Sequence, residues 1–173
     1  RRHTRYPLVT GVQTCALPIS TLCTGNLLHI PFADNSIDVV YTSHSIEPNG
    51  GNEKPIVEEL FRVARKYLVL LEPCYELAHH EARKRMDAHG YCKNLRGIAE
   101  GLNYKVVLHG MFPFTSNPLN PTGMTVIEKR ADGVPPTGIL ACPKWRTTLE
   151  RVGDVLFSPE ASVVYPIVGG IPC

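Results

Sequence analysis

The sequence predicts an α/β fold followed by a small, mostly β module, and three observations predict it. Short apolar and β-branched runs alternate with segments of helical period, the signature of a mostly parallel sheet. The last two runs, Tyr104 to Leu108 and Thr125 to Glu128, have no helix between them, so they are expected as antiparallel neighbours. A turn-rich stretch, Ala131-Asp132-Gly133-Val134-Pro135-Pro136-Thr137-Gly138, then divides this body from a short tail.

Each element has a local cause. Ile37-Asp38-Val39-Val40-Tyr41 is a β-branched run entered from the turn Ala33-Asp34-Asn35-Ser36, and it reads as a strand. Asn52 is placed to cap the next segment, where Ile56, Val57, Leu60, Phe61 and Ala64 recur at helical spacing. Tyr67 to Leu71 is continuously apolar and closes at Glu72-Pro73, as expected of a strand covered on both faces. Helical stretches follow from about Glu76 to His89 and, after Gly90, from about Asn94 to Gly101. The two final strands flank a Pro-rich loop running from Pro113 to Pro121.

The first residues fit no such scheme. In Val9-Thr10-Gly11-Val12-Gln13-Thr14-Cys15-Ala16-Leu17-Pro18-Ile19 the apolar positions follow neither period, and Pro18 would break an element. The string resembles the translation of a sequencing adapter, and residues 1–19 are set aside as a disordered artefact of that origin. Domain boundaries are therefore expected at 20–130, 131–138 and 139–173.

Composition narrows the function. The formal net charge of +2 falls to −1 once the three arginines among residues 1–19 are removed, so no strong nucleic-acid signature remains. No apolar run reaches the roughly 20 residues that span a bilayer, and no membrane partner is expected. Cys23, Cys74, Cys92, Cys142 and Cys173 are scattered without paired spacing, which favours a reduced, cytoplasmic protein.

Thr24-Gly25-Asn26-Leu27-Leu28-His29-Ile30-Pro31-Phe32-Ala33-Asp34-Asn35-Ser36-Ile37-Asp38-Val39-Val40 resembles the glycine-aspartate, leucine-proline-phenylalanine and aspartate-serine-phenylalanine-aspartate stretch of class I S-adenosylmethionine-dependent methyltransferases of the type 11 group. The resemblance covers about residues 21 to 130 and implies a Rossmann-like sheet. It implies S-adenosylmethionine as cofactor of the complete protein and a small-molecule substrate with a hydroxyl or carbon acceptor. Gly25 and Asn26 are implied in the turn beside the adenine, where the family usually has an aspartate; Asn26 is a departure that can still accept a hydrogen bond. Leu27 and Leu28 are implied beside the adenine ring. Tyr41 and Ser43 are implied on the donor side, and His44 and Glu47, just past the carboxyl end of the Ile37 strand, face the acceptor. His44 is the better base, since an unperturbed imidazole titrates near neutrality.

The resemblance also implies an opening strand, a glycine-rich turn and an acidic residue, none of which occurs in this sequence. The expectation is a fragment, read from inside the third strand, that is defective in cofactor binding and carries the edge of a sheet at Ile37. Two patterns are rejected. Asn117-Pro118 and Asn120-Pro121 fall between the last two strands rather than at the carboxyl end of the Ile37 strand, and His79-His80-Glu81 has Lys84 where a zincin needs histidine.

The tail, with Cys142-Pro143, Tyr165-Pro166-Ile167 and Gly170-Ile171-Pro172, resembles zinc-ribbon domains that activate methyltransferases. Of four ligand positions only Cys142 remains, with Trp145, Ser158 and Ala161 at the others, so no metal is expected. Cys142 reads as a small buried hydrophobe, and Trp145 as a space-filler. A non-catalytic interaction or activator module, docking on its own body or on a protein partner, is the alternative function.

Overall fold

The computed structural model describes residues 22–131, 133–134 and 136–173; the adapter-like residues 1–19 lie outside them. The body holds strand β1 (Ile37–Ser43), helix α1 (Glu53–Val63), strand β2 (Ala64–Pro73), helices α2 (His80–His89) and α3 (Leu95–Gly101), and strands β3 (Lys105–Met111) and β4 (Thr122–Glu128). Its sheet runs β1-β2-β4-β3, with β1 and β2 parallel and β4 antiparallel to both of its neighbours. The closing antiparallel pair is as expected.

Register explains the core. Val40 opposite Leu68, Thr42 opposite Leu70, and Leu68 opposite Ile127 turn one face of the sheet toward α1 and α3. Ile56, Val57 and Leu60 of α1 meet Leu95 and Ala99 of α3 over Leu68, Leu70 and Ile127, all at most 6% exposed. Burial of each large aliphatic side chain contributes about 1.5–3 kcal/mol, so this single face carries most of the body's stability.

The opposite face corrects the expectation that the Tyr67 run is covered on both sides. Tyr67 is 40% exposed, while Val69 and Leu71 are only half-buried. Apolar content does not itself recruit a second layer; among the described residues α1 and α3 pack on the Leu68 side. One helix cap and one helix start also differ from the expectation. Asn52 occupies the position before α1 but its side chain makes no capping bond. The Glu76 stretch begins as a 3₁₀ turn (Tyr75–Leu77), breaks at extended Ala78, and becomes helical only at His80, where His79 Nδ1 accepts the Ala82 N–H. A side chain that satisfies an otherwise unpaired N–H sets the start there.

β1 pairs only with β2 among the described residues, leaving Tyr41 70% and Val39 49% exposed on an edge strand. Unpaired edges carrying apolar side chains template association. The chain is expected to self-associate with rising concentration, and Tyr41→Lys to reduce this without changing the far-ultraviolet circular dichroism. Light scattering after size exclusion checks it, and a monodisperse wild-type monomer would contradict it.

The tail forms a second sheet of β5 (Glu150–Val152), β6 (Val155–Ser158), β7 (Val163–Val168) and β8 (Ile171–Pro172), antiparallel throughout. It docks on the segment before β1: Ala33 N–H donates to Ile139 O, Ala141 N–H to Pro31 O, and Thr24 N–H to Pro172 O, each at 2.9–3.0 Å.

Candidate functional site

The carboxyl ends of parallel β1 and β2 open at the same edge of the sheet, and β4 begins there because it runs the other way. His44 follows β1 in the left-handed region, φ 51°, a conformation that costs a non-glycine residue energy and marks the site as constrained. Its Nδ1 contacts Glu47 Oε2, and its Nε2 lies 2.8 Å from Thr122 Oγ1 at the start of β4. Carboxylate, imidazole and hydroxyl thus form one chain across two strands. Asn120 Nδ2 donates to Glu47 Oε1 at 3.1 Å. Burial pushes the Glu47 carboxyl up, but bonds from His44, Tyr91 and Asn120 outweigh it and hold it below the usual range. A carboxylate held ionised orients Nδ1 as the donor and leaves Nε2 to accept a hydrogen bond from the Thr122 hydroxyl.

Glu72 holds this loop in place. At 2% exposure it accepts the Ser45 N–H at 3.0 Å through Oε1, and those of Ile46 and Glu47 at 3.2 and 3.0 Å through Oε2. Burial raises its carboxyl above the ordinary value despite these bonds. Close packing completes the edge. A Cβ on Gly123 would stand 2.6 Å from Cys74 Cβ, so glycine lets β4 approach the end of β2 beside Thr122.

The structure brings His44 and Glu47 together; the other expected residues lie elsewhere. Tyr41 and Ser43 point from β1 to the exposed face of the sheet. Gly25 and Asn26 line a cavity of about 220 Å³ between the segment before β1 and the C-terminal sheet, with Pro31, Leu140, Leu156 and Tyr165. Leu27 packs on the main core. Asn26 Oδ1, the acceptor expected to meet an adenine amine, is 2.9 Å from the Leu28 N–H and closes a turn of its own chain.

Sequence reasoning missed Glu72, Thr122, Tyr91 and Asn120. A carboxylate ending an otherwise apolar strand was the available signal for Glu72. Asn120 belongs to the dismissed Asn-Pro pair; the loop between β3 and β4 carries it over the end of β1, a juxtaposition that no spacing reports.

The tail's ligand-type positions are filled by ordinary hydrogen bonds. Cys142 is fully buried, yet its Sγ lies 3.0 Å from the Tyr165 hydroxyl, so it is more than a hydrophobe. Burial raises the thiol, but that bond and the Trp145 and Lys144 N–H groups outweigh it and lower its pKa. Ser158 Oγ lies 2.7 Å from Thr147 Oγ1. Trp145 is 59% exposed with Lys144 over its ring, so it fills no interior space. Among the described residues no three metal-ligating side chains converge.

A donor molecule with adenine, ribose and a charged amino-acid end needs polar partners for each part. The cavity at Gly25 and Asn26 is walled by aliphatic and aromatic groups, and the Asn26 acceptor is already engaged. This mostly apolar cavity, with Thr24 and His29 as its remaining polar side chains, does not by itself supply a partner for each part of S-adenosylmethionine. No helix among them is long and apolar enough to cross a membrane.

An open sheet with a parallel pair, an antiparallel closing pair and a polar cluster at its carboxyl edge defines an open α/β architecture. The chain shares this fold with a SAM-dependent methyltransferase from Methanosarcina mazei, at a TM-score of 0.50 and 15% identity over 62% of this chain and 66% of that one. A putative sarcosine dimethylglycine methyltransferase from Galdieria sulphuraria aligns at a TM-score of 0.45 and 13% identity, over 61% of this chain and 58% of that one. The chain thus spans less than two thirds of either protein's length. No protein-family model matches the chain, and no curated protein matches it.

Proposed function

We propose that this chain carries the acceptor side of an S-adenosylmethionine-dependent methyltransferase and by itself binds that cofactor weakly or not at all. The observation that carries the reading is the Glu47–His44–Thr122 chain at the carboxyl edge of a methyltransferase-like sheet. In open α/β sheets ligands sit at that edge. His44 takes a proton from a hydroxyl or carbon acceptor of a small molecule, Glu47 orients the ring, and Thr122 holds Nε2 until the acceptor displaces it. Tyr41 and Ser43, on the exposed face of β1, belong to the donor side; Gly25 and Asn26 line the separate cavity against the C-terminal module and Leu27 lies in the core, so none of the three is assigned to the adenine. When bound, the cofactor supplies the methyl group.

Isothermal titration of the chain with S-adenosylmethionine is expected to give no saturable heat at micromolar ligand. Micromolar binding would overturn the defect. Added acceptor-like alcohols should still perturb the His44 ring signals in NMR, and unaltered signals would count against the acceptor side.

A second reading rests on the docking of the tail, residues 139–173. Its backbone bonds to Pro31, Ala33 and Thr24, with Arg146 Nη2 3.4 Å from Glu59 Oε2, favour a non-catalytic module that clamps its own body. A protein partner would use the surface left free by this contact.

A further inference from the structure

We infer that Cys23 and Cys173 form a reversible disulfide that clasps the segment before β1 onto β8. Both residues line the same cavity of about 220 Å³. The Thr24 N–H donates to Pro172 O at 2.9 Å, and Thr24 Oγ1 lies 3.4 Å from the same oxygen. Cys23 immediately precedes that donor and Cys173 immediately follows that acceptor.

Covalent geometry then fixes their separation. In a trans peptide the Cα before an N–H lies on the hydrogen's side, and the Cα after a carbonyl lies on the oxygen's side. Joining the two planes through a bond of this length leaves the Cα atoms roughly 4–7 Å apart, however the planes are turned about it. That interval covers about 4.4–6.8 Å, where disulfides are accommodated without moving backbone. Both residues border one cavity, and Cys173 Sγ, which rests 3.4 Å from Ile171 O, turns from that oxygen to meet Cys23.

The other described thiols are poor competitors. Cys74, Cys92 and Cys142 are at most 3% exposed, whereas Cys173 is exposed and Cys23 half-buried. Oxidised glutathione is a sufficient oxidant. The Cys173 thiolate attacks one of its sulfurs, forming a mixed disulfide and releasing one glutathione thiolate. The Cys23 thiolate then attacks the Cys173 sulfur and releases the second. Two protein thiols are oxidised by two electrons, the glutathione disulfide is reduced by two, and the two protons pass to the released thiolates.

The bond would close a loop of about 150 residues, and constraint of the unfolded chain over that length should raise Tm by about 10 °C. The test uses the full chain carrying Cys15→Ser, incubated with oxidised glutathione and digested without reductant. A tryptic species joining the Cys23 and Cys173 peptides, with loss of two hydrogens and the rise in Tm, is expected. Exposed Cys173→Ser should abolish both while leaving the reduced Tm unchanged. Free alkylatable thiols at both positions, separate glutathione adducts, or a bond between two chains would each overturn the inference.

Discussion

Glu72→Ala is expected to lower stability by about 3 kcal/mol and Tm by roughly 6–12 °C. The buried carboxylate accepts three consecutive backbone N–H groups, from Ser45, Ile46 and Glu47, and alanine offers them nothing. A buried donor without a partner costs about 1–3 kcal/mol. Ile46 is fully buried and bears the full cost, whereas the bonds to Ser45 and Glu47 are only part-buried and water can replace some of them. Relief of burying a carboxylate offsets part of the loss. Glu72→Gln keeps one acceptor and should cost less than half as much. Thermal denaturation checks the ranking, and the loss of the left-handed turn at His44 should disperse its ring signals in the same variant.

Arg62→Ala should be as damaging, at about 3–5 kcal/mol. All five guanidinium donors are used: Nε to Glu59 Oε2 at 2.8 Å, Nη2 to Glu59 Oε1 at 2.8 Å and Ile30 O at 3.1 Å, Nη1 to Phe32 O at 2.8 Å and Asp34 Oδ1 at 2.6 Å. Removing it strands Glu59, which is 6% exposed, and frees the segment that the C-terminal sheet grips. Arg146, 57% exposed, touches the same carboxylate from the segment before β5, and Arg146→Ala should cost under about 1 kcal/mol. Chemical denaturation separates the two, and equal losses would refute the assignment.

The same carboxylates set opposite pH slopes. Burial raises Glu59, but the Arg62 bonds and the Ile30 N–H outweigh it and hold its folded pKa below the unfolded value. Its contribution is present above the unfolded pKa and is lost as pH falls through the folded one. Glu72 is shifted upward by burial, so its contribution is full below the unfolded pKa and fades as pH rises through the folded one. Stability of Arg62→Ala should therefore fall less steeply on acidification than that of the wild type.

Much of the body was legible because its periods are local. The β-branched run at Ile37, the helical spacing from Ile56 to Leu60 and the missing helix between the last strands each follow from neighbouring residues, and each stands in the structure. Asn52 and Glu76 show where local reading fails. Whether a polar side chain turns back on its own helix depends on competing partners, and Glu76 instead accepts the Asn94 N–H, 18 residues away.

The candidate site was half legible. His44 and Glu47 are three residues apart, and a turn at the end of a strand brings such neighbours together. Thr122 and Asn120 are more than 70 residues from them, and Glu72 more than 20.

The amino-acid sequence alone determined the α/β pattern, the antiparallel closure and the polar turn after β1, because period and turn chemistry act over a few residues. Tertiary structure alone decided which sheet face is covered, and that the carboxylate and imidazole of the turn after β1 meet a hydroxyl from the start of β4 at one edge. Those outcomes depend on strand order and register, which bring distant residues within hydrogen-bond reach only after the sheet has formed.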